Sequence, residues 1–258
     1  MKLHSFQEGK TPDYVILSHT WHDDEVLFED LQDISRASKK AGFAKIRFCC
    51  NQALKDHVKF VWIDTCCIDK TSSTELSEAI NSMYRWYREA IECYAYLIDV
   101  SISADWEAEM VHSRWFKRAW TLQELLAPRW LLTFYSTEWN KIGTCRNLRT
   151  VVSKATGIDE EYLPGVLSRD IHTASVAKRM SWAAKRKATR TEDIAYSLFG
   201  IFNVNMPLLY GEGQQKAFRR LQEEIMKSSD DHTLFAWKTL PDDDHNVSLF
   251  LTTLITLI

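Results

Sequence analysis

The stretch RAWTLQELLAP (Arg118–Pro128) puts a guanidinium, an indole and a lone carboxylate within about two helical turns. Glu124 follows Trp120 by four residues, so on a helix the two side chains share a face. A carboxylate held beside an aromatic face in a cleft is a catalytic arrangement. The same letters also spell a capping box, in which Thr121 starts a helix and Glu124 folds back onto its first amide while Pro128 ends it. At the level of sequence both uses of Glu124 stay open. A helix N-terminus would also lower its pKa and keep it ionised.

Other groups come in weaker constellations. His19 and His22 in HTWH have the i, i+3 spacing of metal ligands, but no third ligand is evident. They read as an exposed loop pair, and no metal is expected. Ser18 and Trp21 follow an apolar run and fit either a turn or a ligand contact. Asp64 and Asp69 close a second apolar run, where a loop or capping role competes with a contact to a substrate hydroxyl. In KRMSWAAKRKATRTEDIAY, six cations (Lys178, Arg179, Lys185, Arg186, Lys187, Arg190) could grip phosphates and Trp182 could stack a base. A basic run is more often a solvated helix face. Thr189-x-x-Glu192 reads as a second capping box, and Arg190 with Asp193 as an ion pair tying the two halves together. Tyr196 and Tyr210 read as core or interface.

These groups need a scaffold. YVILSHTW (14–21), FVWIDTCCID (60–69), CYAYLIDV (93–100) and WLLTFYS (130–136) read as buried strands. Asp23 and Asp24 can start a helix through Leu27, Leu31 and Ile34. Further helices are predicted over 45–56 and 75–92, the latter with Leu76, Ile80, Met83 and Tyr87 in one stripe. Strands alternating with helices predict a mainly parallel sheet covered on both faces. Sites in such sheets form beyond the C-terminal strand ends. Helices predicted over 176–187, 192–202 and 214–227 give the second half a helical character. The expected division is residues 1–140 as the α/β part, 141–238 as a helical part packed on the sheet, and 239–258 as a tail.

The 258 residues suffice for a substantial core, and 45% hydrophobic with 26% charged residues is ordinary globular composition. A net charge of −3, from 32 basic and 35 acidic residues, offers no general attraction for nucleic acid or an anionic membrane. Ten Trp and nine Tyr supply rigid recognition surface. The six Cys include the adjacent pairs Cys49–Cys50 and Cys66–Cys67, which lack zinc-site spacing and read as reduced thiols. MKLHSFQEGK shows no secretory h-region, so a cytoplasmic location is expected. The apolar end VSLFLTTLITLI is too short to span a membrane and reads as a core strand cut from a longer protein.

Taken together, YVILSHTW, FVWIDTCCID, SRWFKRAWTLQELLAP and RTEDIAYSLFGIFNVNMPLLYGEG resemble the fungal heterokaryon-incompatibility (HET) domain, from Tyr14 to Gly213 in the expected order. The resemblance implies a cytosolic module that triggers programmed cell death after incompatible cells fuse. It also implies self-association, with nucleotide-binding oligomerisation and sensor domains outside this chain. The first half is similar to TIR domains as well, which are flavodoxin-like folds of five parallel strands. There a segment S-x-W-C-x-x-E-L follows the third strand, and its Glu is catalytic in NAD-cleaving members. Trp120, Glu124 and Leu125 match that spacing, Thr121 replaces the Cys, and a longer insertion precedes them.

That similarity implies NAD as a substrate and no tightly bound cofactor. Breaking the nicotinamide–ribose bond releases a neutral leaving group and builds positive charge on the ribose, so no general acid is required. A single carboxylate, Glu124, can steady that charge. Trp120 would stack the nicotinamide, with Ser18, Trp21, Asp64 and Arg118 as the remaining NAD contacts. The alternative is a module without chemistry that signals through self-assembly and partner recruitment. Nucleic-acid binding is disfavoured by the charge balance.

Overall fold

The computed structural model describes residues 1–7, 9–165 and 168–235. An unbroken apolar run must be covered on both faces, and YVILSH (β1, Tyr14–His19) is buried at all six positions. The remaining strands are β2 (Phe60–Ile63), β3 (Glu92–Tyr96), β4 (Leu132–Tyr135) and β5 (Lys141–Thr144). They form one sheet in the order β2-β1-β3-β4-β5. The first four are parallel, with Ile16 opposite both Trp62 and Cys93 and Ala95 opposite Phe134. β5 returns antiparallel to β4. It was not anticipated as a strand, and it carries the sheet past residue 140.

The helices of the first half are α1 (Ile34–Ala37), α2 (Phe43–Lys55), α3 (Ser73–Glu89), α4 (Trp106–His112) and α5 (Thr121–Leu126). Alternate strand residues enter two cores. Val15, Leu17, Tyr94 and Tyr96 pack with Ile46, Cys49 and Ala53 of α2. Ile16, Cys93, Ala95 and Phe134 pack with Ile80, Met83 and Tyr87 of α3 and Leu122 and Leu125 of α5. The helix expected from Asp23 is absent. Asp24 accepts instead from the Ala41 amide at 2.7 Å, and buried Asp30 accepts from the Leu27 amide at 2.8 Å and from Lys40. The short α1 starts only at Asp33, whose carboxylate accepts from the amides of Ser35 and Arg36.

The second half contains α6 (Arg149–Thr156), α7 (Val176–Ser181), α8 (Asp193–Tyr196), α9 (Phe199–Phe202) and α10 (Gln214–Ser228). Its apolar residues, among them Val152, Phe199, Leu221 and Ile225, join the same core as α3 and α5. Two predicted helices are shorter than their periodicity suggests. α7 stops at Ser181 because the chain must leave the helix to form a backbone bridge. In it the Lys187 amide donates to Lys117 O at 2.7 Å, and Ala119 N donates to Lys187 O at 2.8 Å. The predicted helix over 192–202 breaks into α8 and α9 through an i−3 turn in which Leu198 N donates to Ala195 O at 3.0 Å.

The basic run is solvated only in part: Lys185, Lys187 and Arg190 are exposed and Lys178 is half-buried. Arg179 and Arg186 are buried, and Trp182 packs against Tyr162 with centroids 5.3 Å apart, so it presents no free face to a base. All six cysteines are free. Among the described residues no helix is long and apolar enough to cross a membrane. The tail 239–258, with its predicted strand, lies outside the described residues.

Gly200 sets the approach of α9 to α3. A Cβ built there would stand 2.0 Å from Tyr84 Cβ, an atom that rotamer change cannot move away. Gly200→Ala must push the two helices apart, and we expect a loss of about 1–3 kcal/mol in chemical denaturation. Unchanged stability would mean that α9 is free to shift.

Candidate functional site

Polar residues gather where β1 and β2 end. Strand order reverses between β1 and β3, and a doubly wound sheet opens a crevice beyond the strand ends at such a point. Successive residues of β1 point to opposite faces, so Ser18 and His19 head two different networks.

On the α3/α5 side, Ser18 Oγ donates to Glu124 Oε2 and accepts from Trp115 Nε1 at 2.8 Å. Tyr87 Oη donates to Leu17 O at 3.2 Å and also lies within hydrogen-bonding reach of Glu124. The capping box is not formed. Thr121 is already the first residue of α5, and the residue before it, Trp120, is helical with no side-chain cap. Thr121 Oγ1 donates backward to the carbonyls of Trp115 and Arg118. The reason is burial: all six α5 residues are inside, so the Glu124 side chain faces β1 rather than its own N-terminus.

Glu124 is 8% exposed. Burial, and then the charge of Asp64, push its carboxyl up to about 8, against the hydrogen bond from Ser18, the charge of Arg118 and the nearby Tyr87 hydroxyl. The lowering expected from a helix N-terminus is thus overridden by desolvation. Near neutral pH the group is largely protonated.

On the α2 side, buried Lys45 Nζ contacts His19 Nδ1 at 3.0 Å and pairs with Glu25. An ammonium only donates, so Nδ1 accepts and the imidazole proton sits on Nε2. Nε2 donates it to Asp64 Oδ1 at 3.0 Å. Trp21 Nε1 donates to the other oxygen, Oδ2, at 2.9 Å. Burial would raise the Asp64 carboxyl, but the hydrogen bond from His19, then the charge of Lys70 and the hydrogen bond from Trp21, outweigh it and hold Asp64 below the usual carboxylate range. Lys70 Nζ lies 3.6 Å from the Trp21 ring centroid and is buried without a hydrogen-bond partner, as is Thr20 Oγ1. The two sides of the strand end therefore hold a neutral carboxyl and an ionised one.

Of the predicted site residues, Ser18, Trp21, Asp64 and Glu124 come together at this rim. Arg118 is half-buried and close enough for its charge to act on Glu124. Trp120 is turned elsewhere, because its indole N–H is taken by Asp193 Oδ2 at 3.1 Å. The exposed indole at the rim is Trp21, at 38%. His19 is buried, which corrects its reading as an exposed loop residue. Asp69 accepts from the Thr71 amide at 2.9 Å in a local turn. Among the described residues no group of three or more His, Cys, Asp or Glu could hold a metal ion.

Sequence reading missed Glu25, Lys45, Lys70, Tyr87 and Trp115. Lys45 had a signal, since it precedes Cys49 and Ala53 at four-residue spacing on the buried face of α2. A charge in an apolar stripe must find a partner.

The second half holds this site from behind. Arg186 Nη1 donates to Arg118 O and to Thr121 Oγ1, each at 3.0 Å, fixing the turn that launches α5. Asp193 also accepts from Tyr210 Oη at 2.9 Å, and the Arg190 guanidinium lies 4.2 Å from the Tyr210 centroid. Glu192 does not serve a capping box. Its Oε1 accepts from the amides of Gly211 and Gly213, at 2.9 and 3.0 Å.

Residues 14–105 match the family described as Heterokaryon incompatibility protein (HET), which takes in Ser18, Trp21 and Asp64 but stops short of Glu124. Residues 216–250 match a domain of unknown function, DUF8212. That match reaches into the tail after Lys238. The chain is 52% identical over 228 residues to Vegetative incompatibility protein HET-E-1 of Podospora anserina. The match covers 85% of this chain and 16% of that protein's length. No solved structure matches the chain.

A raised carboxyl pKa means that the folded chain holds the Glu124 proton more tightly than the unfolded chain does. Its contribution to stability is complete below the usual 4.5 and is lost as pH rises toward 8. Glu124→Gln keeps an acceptor for Ser18 and removes the titration. The variant should gain on wild type between pH 4.5 and 8, by an amount on the order of a few kcal/mol, in thermal unfolding run across that range. A pH-independent difference would show that Glu124 is not buried as described.

Proposed function

We propose, from a HET-family segment at residues 14–105, that this chain is the effector part of a fungal vegetative-incompatibility protein and kills by hydrolysing NAD. The similarity to HET-E-1 supports the incompatibility role. The chemistry rests on one observation: Glu124, with no capping role, stands at the β1/β3 reversal in contact with Ser18. The strand order 2-1-3-4-5 is that of flavodoxin-like sheets, which supports the TIR-like assignment. The antiparallel β5 departs from it.

In the reaction, the bond between ribose C1′ and the pyridinium nitrogen breaks and its electron pair leaves with nicotinamide. Positive charge grows on C1′ and is met by the Glu124 carboxylate. Water then adds to C1′, yielding ADP-ribose and a proton that passes to solvent. Glu124 acts only when ionised. A cationic pyridinium beside it lowers its pKa, so binding the substrate itself drives off the proton. Ser18 and Trp115 hold the carboxyl in place, Trp21 supplies an aromatic wall, and Lys70 and Arg118 supply charge for the pyrophosphate. The burial of Glu124 makes this conformation a resting one, with clustering of chains as the step that opens the rim.

A second function, signalling through assembly without chemistry, is favoured by that same burial and by exposed aromatics such as Trp130, which is 72% exposed. The two separate in cells that express the chain as wild type or Glu124→Gln. Catalysis by Glu124 predicts that NAD depletion and death are both lost, with a fall in rate of about 10²–10³ or more, while the variant stays folded. Death at constant NAD, in either version, would sink the enzyme proposal and leave the assembly function.

A further inference from the structure

Away from the rim, a groove of about 920 Å³ runs between α3, α9 and the loop 203–207. It shares no lining residue with the Glu124 site. Its volume suits a nucleotide-sized ligand, since small-molecule pockets span roughly 300–1,000 Å³. Two kinds of surface meet in it. Phe199, Val204 and Met206 are buried residues that give it an apolar floor. Arg85, Arg88 and Arg129 line it with guanidinium groups, against one lining carboxylate, Glu89. The charges of Arg88, Arg129 and buried Arg179 all act on the Tyr84 hydroxyl, opposed by Asp170, so positive charge converges at one point of the wall.

Three further details fit a built site. Asn81 lines the groove with its side-chain oxygen buried and unpartnered, while its amide nitrogen donates to Ser77 O at 2.9 Å. A buried acceptor left without a donor costs free energy, and a donor brought to it would offset that cost. His172 adds a ring nitrogen to the same wall. The loop is turned into place by Asn203 in the left-handed region, at φ 54°, where Asn is among the few side chains tolerated.

We propose that this groove binds a small organic phosphate of nucleotide size. Arg88 and Arg129 take the phosphate oxygens, the apolar floor takes the body of the molecule, and the Asn81 oxygen takes a donor from it. Guanidinium groups match phosphate geometry with paired charge-assisted hydrogen bonds, which makes them the natural carriers of the anion.

AMP titrated into the full chain by calorimetry tests the assignment, with inorganic phosphate as a second probe. The expected result is saturable AMP binding that weakens about tenfold or more in Arg88→Ala/Arg129→Ala. It should weaken with added salt and be unchanged in Glu124→Gln. Asn81→Leu should weaken AMP while leaving inorganic phosphate as it was. Both arginines are exposed, so the double variant is expected to keep the wild-type unfolding temperature, which is checked in parallel. Three outcomes overturn the proposal: no saturable AMP binding by folded wild type, binding that survives loss of both arginines, or binding lost in Glu124→Gln, which would place the ligand at the rim. Phosphate binding as tightly as AMP would remove the role of the apolar floor and overturn it as stated.

Discussion

The arrangement of this molecule turns on one hydrogen bond, from Ser18 on the interior strand β1 to Glu124 on α5. It joins residues 106 positions apart inside a region from which water is excluded. A carboxyl in such a place is costly when ionised, and the chain meets that cost by leaving it protonated and giving it donors. The neighbouring Asp64 shows the other solution. Its indole and imidazole donors, with Lys70 nearby, keep it charged. Two carboxyl groups, one on α5 and one just past β2, are thereby driven to opposite protonation states.

The rest of the structure holds that bond in place. β1 is paired on both sides and wholly buried, so Ser18 cannot move without the sheet. α5 is buried along its whole length and is pinned at its start by Arg186 and by the backbone bridge at Lys187. Trp120 ties the same turn to Asp193. The second half therefore helps to fix the position of Glu124, and it packs into the same core as α3 and α5.

Much of the fold was legible in the chain. Four strands and the helices α2, α3 and α10 followed from apolar runs and helical stripes, because burial on one face leaves a periodic trace. β5 was missed because KIGT has neither a long apolar run nor clear alternation. The helices of the second half were overextended at Lys187 and Leu198, where distant backbone bridges and close packing override local preference. The basic run was legible only in part, for a related reason. A buried guanidinium and an exposed one are the same letter, and only the carbonyls that Arg179 and Arg186 reach distinguish them.

The sequence by itself determined the α/β class and put Ser18, Asp64 and Glu124 at the strand-end rim. These follow from patterns that span a few turns or strands, where neighbours in sequence are neighbours in space. Only the tertiary structure decided that Glu124 faces β1 instead of capping its own helix, that Trp21 rather than Trp120 is the exposed indole at the rim, and that Lys45, Lys70 and His19 complete the cluster. Each of those outcomes depends on which groups from distant segments meet in a low-dielectric interior. Local spacing carries no record of that meeting, and burial decides both the direction and the charge of the side chains involved.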